Sequence, residues 1–161
     1  MQRLIVIITT IIFLIIIFTP VIPVLKVSVD GKRFFIFSQR IVVNISYMHS
    51  VELLRINETF VLKNNEFYLK TLKWPGYGAG LASSTNDLIT NSTMRVINGE
   101  YVLDNLNVSV GSMISINTAF MISPNITVNG MEINGKDITL EVEKINLFEL
   151  LYIKFKGDIY E

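Results

Sequence analysis

Two alternating segments that predict paired β-strands lie in residues 41–62, which read IVVNISYMHSVELLRINETFVL. Every second side chain of residues 41–47 is apolar, and residues 56–62 repeat the pattern with Glu58 on the apolar side. Successive strand residues point to opposite faces, so each segment predicts a strand with one buried face. An antiparallel pairing that places Tyr47 opposite Phe60 also places His49 opposite Glu58, on that buried side.

A buried pair of His49 and Glu58 has three interpretations. The first is a hydrogen-bonded polar pair that joins two strands inside a small sheet, which we call a polar latch. The others are a contact for a ligand and a general base oriented by a carboxylate. Ser50 follows His49, but neighbouring strand residues point to opposite faces, so Ser50 does not meet the imidazole. The sequence has no Gly-x-Ser-x-Gly elbow. We therefore assign no catalytic residue and keep His49 and Glu58 as candidates for ligand or partner binding.

The rest of residues 26–161 also predicts β-structure. Short apolar runs alternate with turn signals at Asp30-Gly31, Asn98-Gly99, Asn129-Gly130 and Asn134-Gly135. This pattern predicts an all-β domain, a small antiparallel sandwich or barrel. The stretch 145–155 suits either a strand or two turns of helix.

The N-terminus has a different character. Eighteen of the first 25 residues are apolar, and no charged residue occurs between Arg3 and Lys26. As a helix, residues 4–25 would extend roughly 33 Å, enough to cross a bilayer, although Pro20 and Pro23 predict that regular helix ends near Thr19. We predict one transmembrane anchor over residues 1–25, in contact with lipid through residues 4–25, and a β domain over residues 26–161. A cleaved signal peptide and a buried helix are the competing interpretations.

Composition excludes several classes of function. The 14 basic and 14 acidic residues cancel, so nothing favours nucleic acid as a partner. The absence of cysteine excludes disulfides, thiolate catalysis and sulfur-based zinc sites, and a single histidine excludes a histidine cluster. We predict neither a metal nor a cofactor.

Two signals disagree about which side of the membrane the β domain occupies. More Lys and Arg follow the apolar segment than precede it, which points to the cytoplasm. Against this stand five Asn-x-Ser/Thr sequons, candidates for glycosylation of an exported domain. They are Asn44, Asn57, Asn91, Asn107 and Asn125. An asparagine-rich composition is the competing explanation of the sequons.

A glycine-rich segment occupies residues 74–81, which read WPGYGAGL. Glycine permits backbone conformations that other residues resist, and exposed backbone amides can bind an anion. The segment matches neither a dinucleotide fingerprint nor a P-loop. It is either a rigid irregular loop or a binding loop, and in the second case Trp74, Tyr77, Gly78 and Gly80 are the candidate contacts.

Two of these motifs together resemble domain-of-unknown-function family 1850. They are residues 47–52, YMHSVE, followed by Glu58, and residues 77–81, YGAGL, with Ala82 where a proline is common in that family. The resemblance covers roughly residues 24–100. It adds Glu52, the last residue of the first motif, to the binding candidates.

The resemblance implies a small, N-terminally anchored extracytoplasmic protein. Many members are encoded beside, or fused to, tripartite transporters of the TAXI class, which are TRAP-type transporters, and the activity of the family is not established. We expect a single-pass protein of the cell membrane whose bulk lies outside the cytoplasm, a non-enzymatic accessory or binding protein with a TRAP-type transporter subunit as partner. The alternatives are an anchored, hydrolase-like enzyme using His49 and Glu58, and a surface structural protein.

Overall fold

The computed structural model describes residues 2–38, 40–50, 53–76 and 92–160. Most of these residues form β-strands, so the predicted all-β class is confirmed. The strands are β1 (Ile22–Val29), β2 (Lys32–Ile36), β3 (Val42–Met48), β4 (Arg55–Lys63), β5 (Glu66–Pro75), β6 (Thr93–Ile97), β7 (Glu100–Gly111), β8 (Met113–Asn117), β9 (Ile122–Val128), β10 (Met131–Glu132), β11 (Asp137–Ile145) and β12 (Ile159–Tyr160). The helices are α1 (Gln2–Phe18), α2 (Leu147–Lys156) and a 3-10 turn (Thr118–Phe120).

The strands form two sheets across the described residues. The first has the order β12-β2-β1-β11-β8, and the second has the order β10-β9-β3-β4-β5-β7-β6. Neighbouring strands are antiparallel except β12 and β2, which run parallel. The larger sheet carries both predicted strands of residues 41–62 at its centre.

The main core lies between the two sheets, as in a sandwich. Leu25, Val27 and Leu140 enter it from the first sheet, and Val43 and Val128 enter from the second; all five are fully buried. In each strand these residues alternate with more exposed ones, which is the pattern expected when one face of a sheet is buried and the other faces water.

The hairpin predicted at Asp30-Gly31 is confirmed. Val29 pairs with Lys32, and both turn residues have positive φ angles, 49° at Asp30 and 81° at Gly31. Two successive positive φ angles are typical of a type I′ turn, whose twist matches that of the flanking strands. This part of the fold follows from local sequence alone.

The helix α1 is shorter than the predicted anchor. It ends at Phe18, before Pro20, whose ring and missing N–H are incompatible with further helix. Val24 and Leu25, which we predicted to contact lipid, lie instead in β1 and are buried in the cores of the β domain. Among the described residues, no helix has both the length and the apolarity needed to cross a membrane. The transmembrane assignment stays a prediction.

The ambiguous stretch near the C-terminus is a helix. The Asn146 side chain accepts a hydrogen bond from the Glu149 backbone N–H, and the Glu149 carboxylate accepts one from the Asn146 backbone N–H. This reciprocal capping box begins α2, and Gly157, with a φ angle of 77°, ends it. The helix buries Ile153 against Val24 and the rest of a second, smaller core.

Candidate functional site

A tyrosine and a glutamate form a polar pair on the inward face of the larger sheet. Tyr47 lies on β3 and Glu58 on β4, two positions apart on the ladder, since Tyr47 pairs with Ile56 and Glu58 pairs with Ile45. Diagonal neighbours of this kind are within reach of a long aromatic side chain. The Tyr47 hydroxyl donates a hydrogen bond of 3.2 Å to Glu58 Oε1.

The predicted opposition of His49 and Glu58 is wrong. The antiparallel pairing is confirmed, but its register differs by four residues from the prediction, and His49 lies beyond Met48, the last residue of β3. Four strand positions separate His49 from the residue opposite Glu58, about 13 Å at ~3.3 Å per residue. The hydrolase-like alternative therefore loses the dyad on which it depended.

His49 helps to close the connection between β3 and β4. Its backbone N–H donates to the carbonyl oxygen of Leu54 at 2.8 Å, and its own carbonyl oxygen accepts from the N–H of Leu53 at 2.9 Å. Leu53 has a φ angle of 52°, in the left-handed region that few side chains adopt. The hydrogen bond between His49 and Leu54 extends the pairing of β3 and β4 beyond Met48 and Arg55.

The surroundings of the pair shift the pKa of both groups. Burial raises the pKa of Glu58 above its ordinary value, and the hydrogen bond from Tyr47 opposes part of that rise. Burial, with the nearby charge of Glu58, raises the pKa of Tyr47 to about 12. Tyr47 is therefore protonated at neutral pH and remains a donor to Glu58. This pair, rather than His49 and Glu58, is the polar latch of the sheet.

A small apolar cluster adjoins the latch. Ile56, Trp74 and Leu103 are buried together, and Tyr47 packs against them. The Trp74 indole is 1% exposed and stacks on Tyr101 with ring centroids 5.7 Å apart. The prediction that Trp74 offers a surface ring to a partner is therefore wrong, because the indole is part of the core.

Several predicted binding residues lie outside the described residues: Glu52, Tyr77, Gly78 and Gly80. The structure describes the glycine-rich segment only as far as Gly76, which has a φ angle of 76°. Glycine adopts this conformation without steric cost, so the chain can turn sharply as it leaves β5.

Three of the predicted sequons lie side by side on the outward face of the larger sheet, on β3, β4 and β9. Residues two apart in a strand share a face, so the Asn and the hydroxyl residue of each sequon point the same way. Asn44 accepts a hydrogen bond from Thr59 Oγ1 (2.9 Å), and its amide donates to Thr127 Oγ1 (3.4 Å). Cross-strand hydrogen bonding is thus a structural reason for the spacing at Asn44, Asn57 and Asn125.

The other two sequons are not part of this group. Asn107 is exposed on β7, where it accepts a hydrogen bond of 3.3 Å from Lys70 Nζ on β5, and Asn91 lies outside the described residues. Attachment of a glycan at any of the five stays a prediction.

A cleft that sequence reasoning did not find lies between the β1–β2 hairpin and β10. It has a volume of about 400 Å³, and its lining includes Lys32, Phe34, Glu132 and Tyr160. These residues come from separate parts of the chain, so no local motif could have indicated the cleft. Within the described parts of the chain, no group of three or more His, Asp or Glu residues is placed to hold a metal ion.

Comparison with known proteins identifies the family. The profile of the family described as "Domain of unknown function (DUF1850)" matches residues 43–141, from β3 into β11. No curated protein and no solved structure matches the chain. The matched region contains Tyr47, His49, Glu58 and Trp74 and covers more than half of the 161 residues. The chain therefore belongs to the DUF1850 family.

Proposed function

We propose that this chain is a non-enzymatic binding module, attached to the cell membrane by α1, that serves outside the cytoplasm as an accessory of a membrane transport system. The observation that carries the proposal is the surface of α1. None of its 17 residues is buried, and twelve of its large apolar side chains are 48–62% exposed. Apolar surface exposed on every side of a helix is typical of insertion in lipid.

The polar groups of α1 are compatible with that environment. The Thr9 hydroxyl donates to the carbonyl oxygen of Ile5 (3.0 Å), and the Thr10 hydroxyl donates to that of Val6 (2.8 Å). Each hydroxyl is therefore satisfied within the helix, as the interior of a bilayer requires. The only charged residue of α1, Arg3, lies at its N-terminal end, where its long side chain can reach the lipid headgroups.

Lysine substitution in α1 tests the attachment. Ile8→Lys combined with Ile12→Lys adds two charges, each costing about 2.5–3.5 kcal/mol at the centre of a membrane helix. We expect the wild-type chain to stay with membranes after an alkaline wash and the double variant to be released. Val96→Lys, at a position 61% exposed on β6, is the matched control and should stay attached. Release of the wild-type chain, or retention of the double variant, would refute the attachment.

The surface proposed to meet a partner is an exposed apolar tip near the family motif. It comprises Leu53, Phe120 and Ile122, which are 62%, 85% and 40% exposed, and we call it the β3 tip. Ile122 pairs with Met48 at the end of β3, and Leu53 donates its N–H to the carbonyl oxygen of His49. Exposed aromatic and aliphatic side chains of this kind are enriched among residues that dominate interfaces.

The family resemblance suggests the class of partner, a membrane subunit of a TRAP-type transporter. Tethering supports such a role, because a shared membrane raises the effective concentration of two weakly binding proteins. We expect the tagged full chain, purified from its own membranes in mild detergent, to bring with it a multi-span transport subunit that mass spectrometry identifies.

Two variants connect that association to the β3 tip. Phe120→Ser should lose the transport subunit, whereas Val110→Ser, an exposed position on β7, should retain it. Equal recovery with both variants would exclude the tip from the interface. Recovery of no transport subunit by the wild-type chain would refute the accessory role.

A further inference from the structure

The helix α2 buries only one of its sides. Ile153 is buried against Val24, Phe35 and Ile145, and Leu150 packs against the same cluster. These contacts fix the helix on the outside of the smaller sheet. They also determine which of its side chains face away from the β domain.

The opposite side of α2 is apolar and exposed. Phe148, Leu151, Tyr152 and Phe155 are 56%, 59%, 54% and 92% exposed, and we call these four residues the α2 stripe. They lie at positions i, i+3, i+4 and i+7, which fall on one face of a helix. Contiguous apolar surface of this kind is uncommon on a protein surrounded by water and marks a binding face.

Two lysines border the stripe. At about 100° per residue, Lys154 falls on one side of the stripe and Lys156 on the other. The Lys156 ammonium also lies 5.2 Å from the ring centre of Tyr152. Glu149, the acidic residue of α2, lies close to Lys156 around the helix and is engaged in the capping box. A helix with bulky apolar residues on one face and lysines at its borders is typical of the membrane interface.

The stripe is continuous with the exposed surface of α1. The ring of Phe148 lies 5.8 Å from the ring of Phe18, measured between ring centres. Phe18 is the last residue of α1, and Phe148 lies in the first turn of α2. The end of α1 therefore contacts the start of α2. Whatever covers the end of α1 therefore reaches the start of the stripe.

We infer that the α2 stripe lies in the headgroup region of the bilayer that α1 enters, with Phe155 and Leu151 dipping among the acyl chains and the two lysines among the headgroups. This inference rests on the proposed membrane attachment. A second contact would stop the β domain from swinging freely about residues 19–21 and would hold it in one orientation toward a membrane-embedded partner.

Single-cysteine labelling tests the inference directly, since the native chain has no cysteine. We would label Phe155→Cys and Leu151→Cys with an environment-sensitive fluorophore, in the full chain reconstituted into phosphatidylcholine vesicles containing phosphatidylglycerol. Val96→Cys is the matched exposed control. Since Phe155 is 92% exposed, its replacement removes little packing. We expect both α2 labels to shift to the blue and to lose most of their fluorescence to lipid-borne quenchers, and the control label to do neither.

A label at Leu14→Cys in α1 separates the two proposals. If that label is quenched from the lipid while both α2 labels stay accessible to aqueous iodide, the inference is overturned and the membrane attachment stands. If the α1 label is not quenched either, both proposals fail. If the α2 labels are shielded from iodide but are not quenched from the lipid, protein covers the stripe, and the assignment to lipid is overturned.

Discussion

Removal of the Tyr47 hydroxyl tests the polar latch with a change of one oxygen atom. Tyr47→Phe keeps the ring that packs beside Trp74 and Ile56 and removes the donor to Glu58 Oε1. Any loss of stability is then due to the hydrogen bond rather than to a cavity.

The magnitude follows from the charge and exposure of the pair. A hydrogen bond to a charged group stabilises a protein by about 1.5–3 kcal/mol net. Because both side chains are only half-buried and water screens the charge, we expect a loss at the lower end, about 1.5 kcal/mol at pH 7. For a domain of this size that corresponds to a decrease of about 5 °C in melting temperature.

The effect should depend on pH in a defined direction. The pKa of Glu58 in the folded chain lies above its ordinary value of 4.5, so folding favours the protonated carboxyl. That contribution to stability is complete below pH 4.5 and is lost as the pH rises through the folded pKa. At pH 4 the pair is neutral and its hydrogen bond is weaker, so Tyr47→Phe should cost about half as much as at pH 7.

The matched variant Glu58→Gln should change stability in the opposite direction. A glutamine at this position is neutral and still accepts from Tyr47, so it removes the cost of a buried charge at pH 7. We expect the melting temperature to rise at pH 7 and to change little at pH 4. In the background of Glu58→Gln, Tyr47→Phe should cost the same at both pH values.

The chain carries its own reporter for this experiment. Trp74 is the single tryptophan, and it is buried beside Tyr47, so its fluorescence follows unfolding of the full chain in detergent. An equal loss of stability by Tyr47→Phe at pH 4 and pH 7 would show that the hydroxyl does not interact with the charge of Glu58. No loss at either pH would refute the latch altogether.

Three further predictions concern the scaffold around the site. Trp74→Ala should lower the free energy of unfolding by about 3–5 kcal/mol in urea titrations followed by circular dichroism. The control Val96→Ala should change it by less than ~0.5 kcal/mol, and equal effects of the two variants would contradict the burial of the indole. Asn146→Ala should cost about 1 kcal/mol and speed hydrogen exchange in the first turn of α2, and unchanged exchange would argue against the capping box. The Asp30 carboxylate accepts hydrogen bonds from two backbone N–H groups at the start of β11, and these lower its pKa below 3.8. The resulting contribution to folding stability is present above pH 3.8 and is lost as the pH falls through the pKa of the folded chain. Asp30→Asn should therefore weaken the pH dependence of stability in acid, and an unaltered acid titration would contradict this.

Local features of the chain were predictable because neighbouring residues decide them. The turn at Asp30-Gly31 needs only two residues that tolerate positive φ angles. The end of α1 before Pro20 needs only the proline ring. The capping box of α2 was also present in the sequence as Asn146 and Glu149, with Gly157 at the other end, a signal that would have decided between helix and strand.

The register between β3 and β4 was not predictable from the same alternation. A shift of four residues leaves every side chain on its original face. The predicted register, with His49 opposite Glu58, and the observed register, with Ile45 opposite Glu58, therefore satisfy the apolar pattern equally well. The positive φ angle of Leu53 and the position of Val43 opposite Phe60 are features of the observed pairing. Both depend on backbone geometry and on the opposite sheet, neither of which the alternation describes.

The sequence by itself determined the all-β class, the face on which the residues of β3 and β4 lie and the apolar helix at the N-terminus. These properties depend on side-chain type and on spacings of two or four residues. Only the tertiary structure decided that Tyr47 and not His49 meets Glu58, that Trp74 is buried, and that Phe18 and Phe148 make α1 and α2 neighbours. Those contacts join residues distant along the chain, and their free energies depend on how two sheets and two helices pack together, which no local pattern encodes.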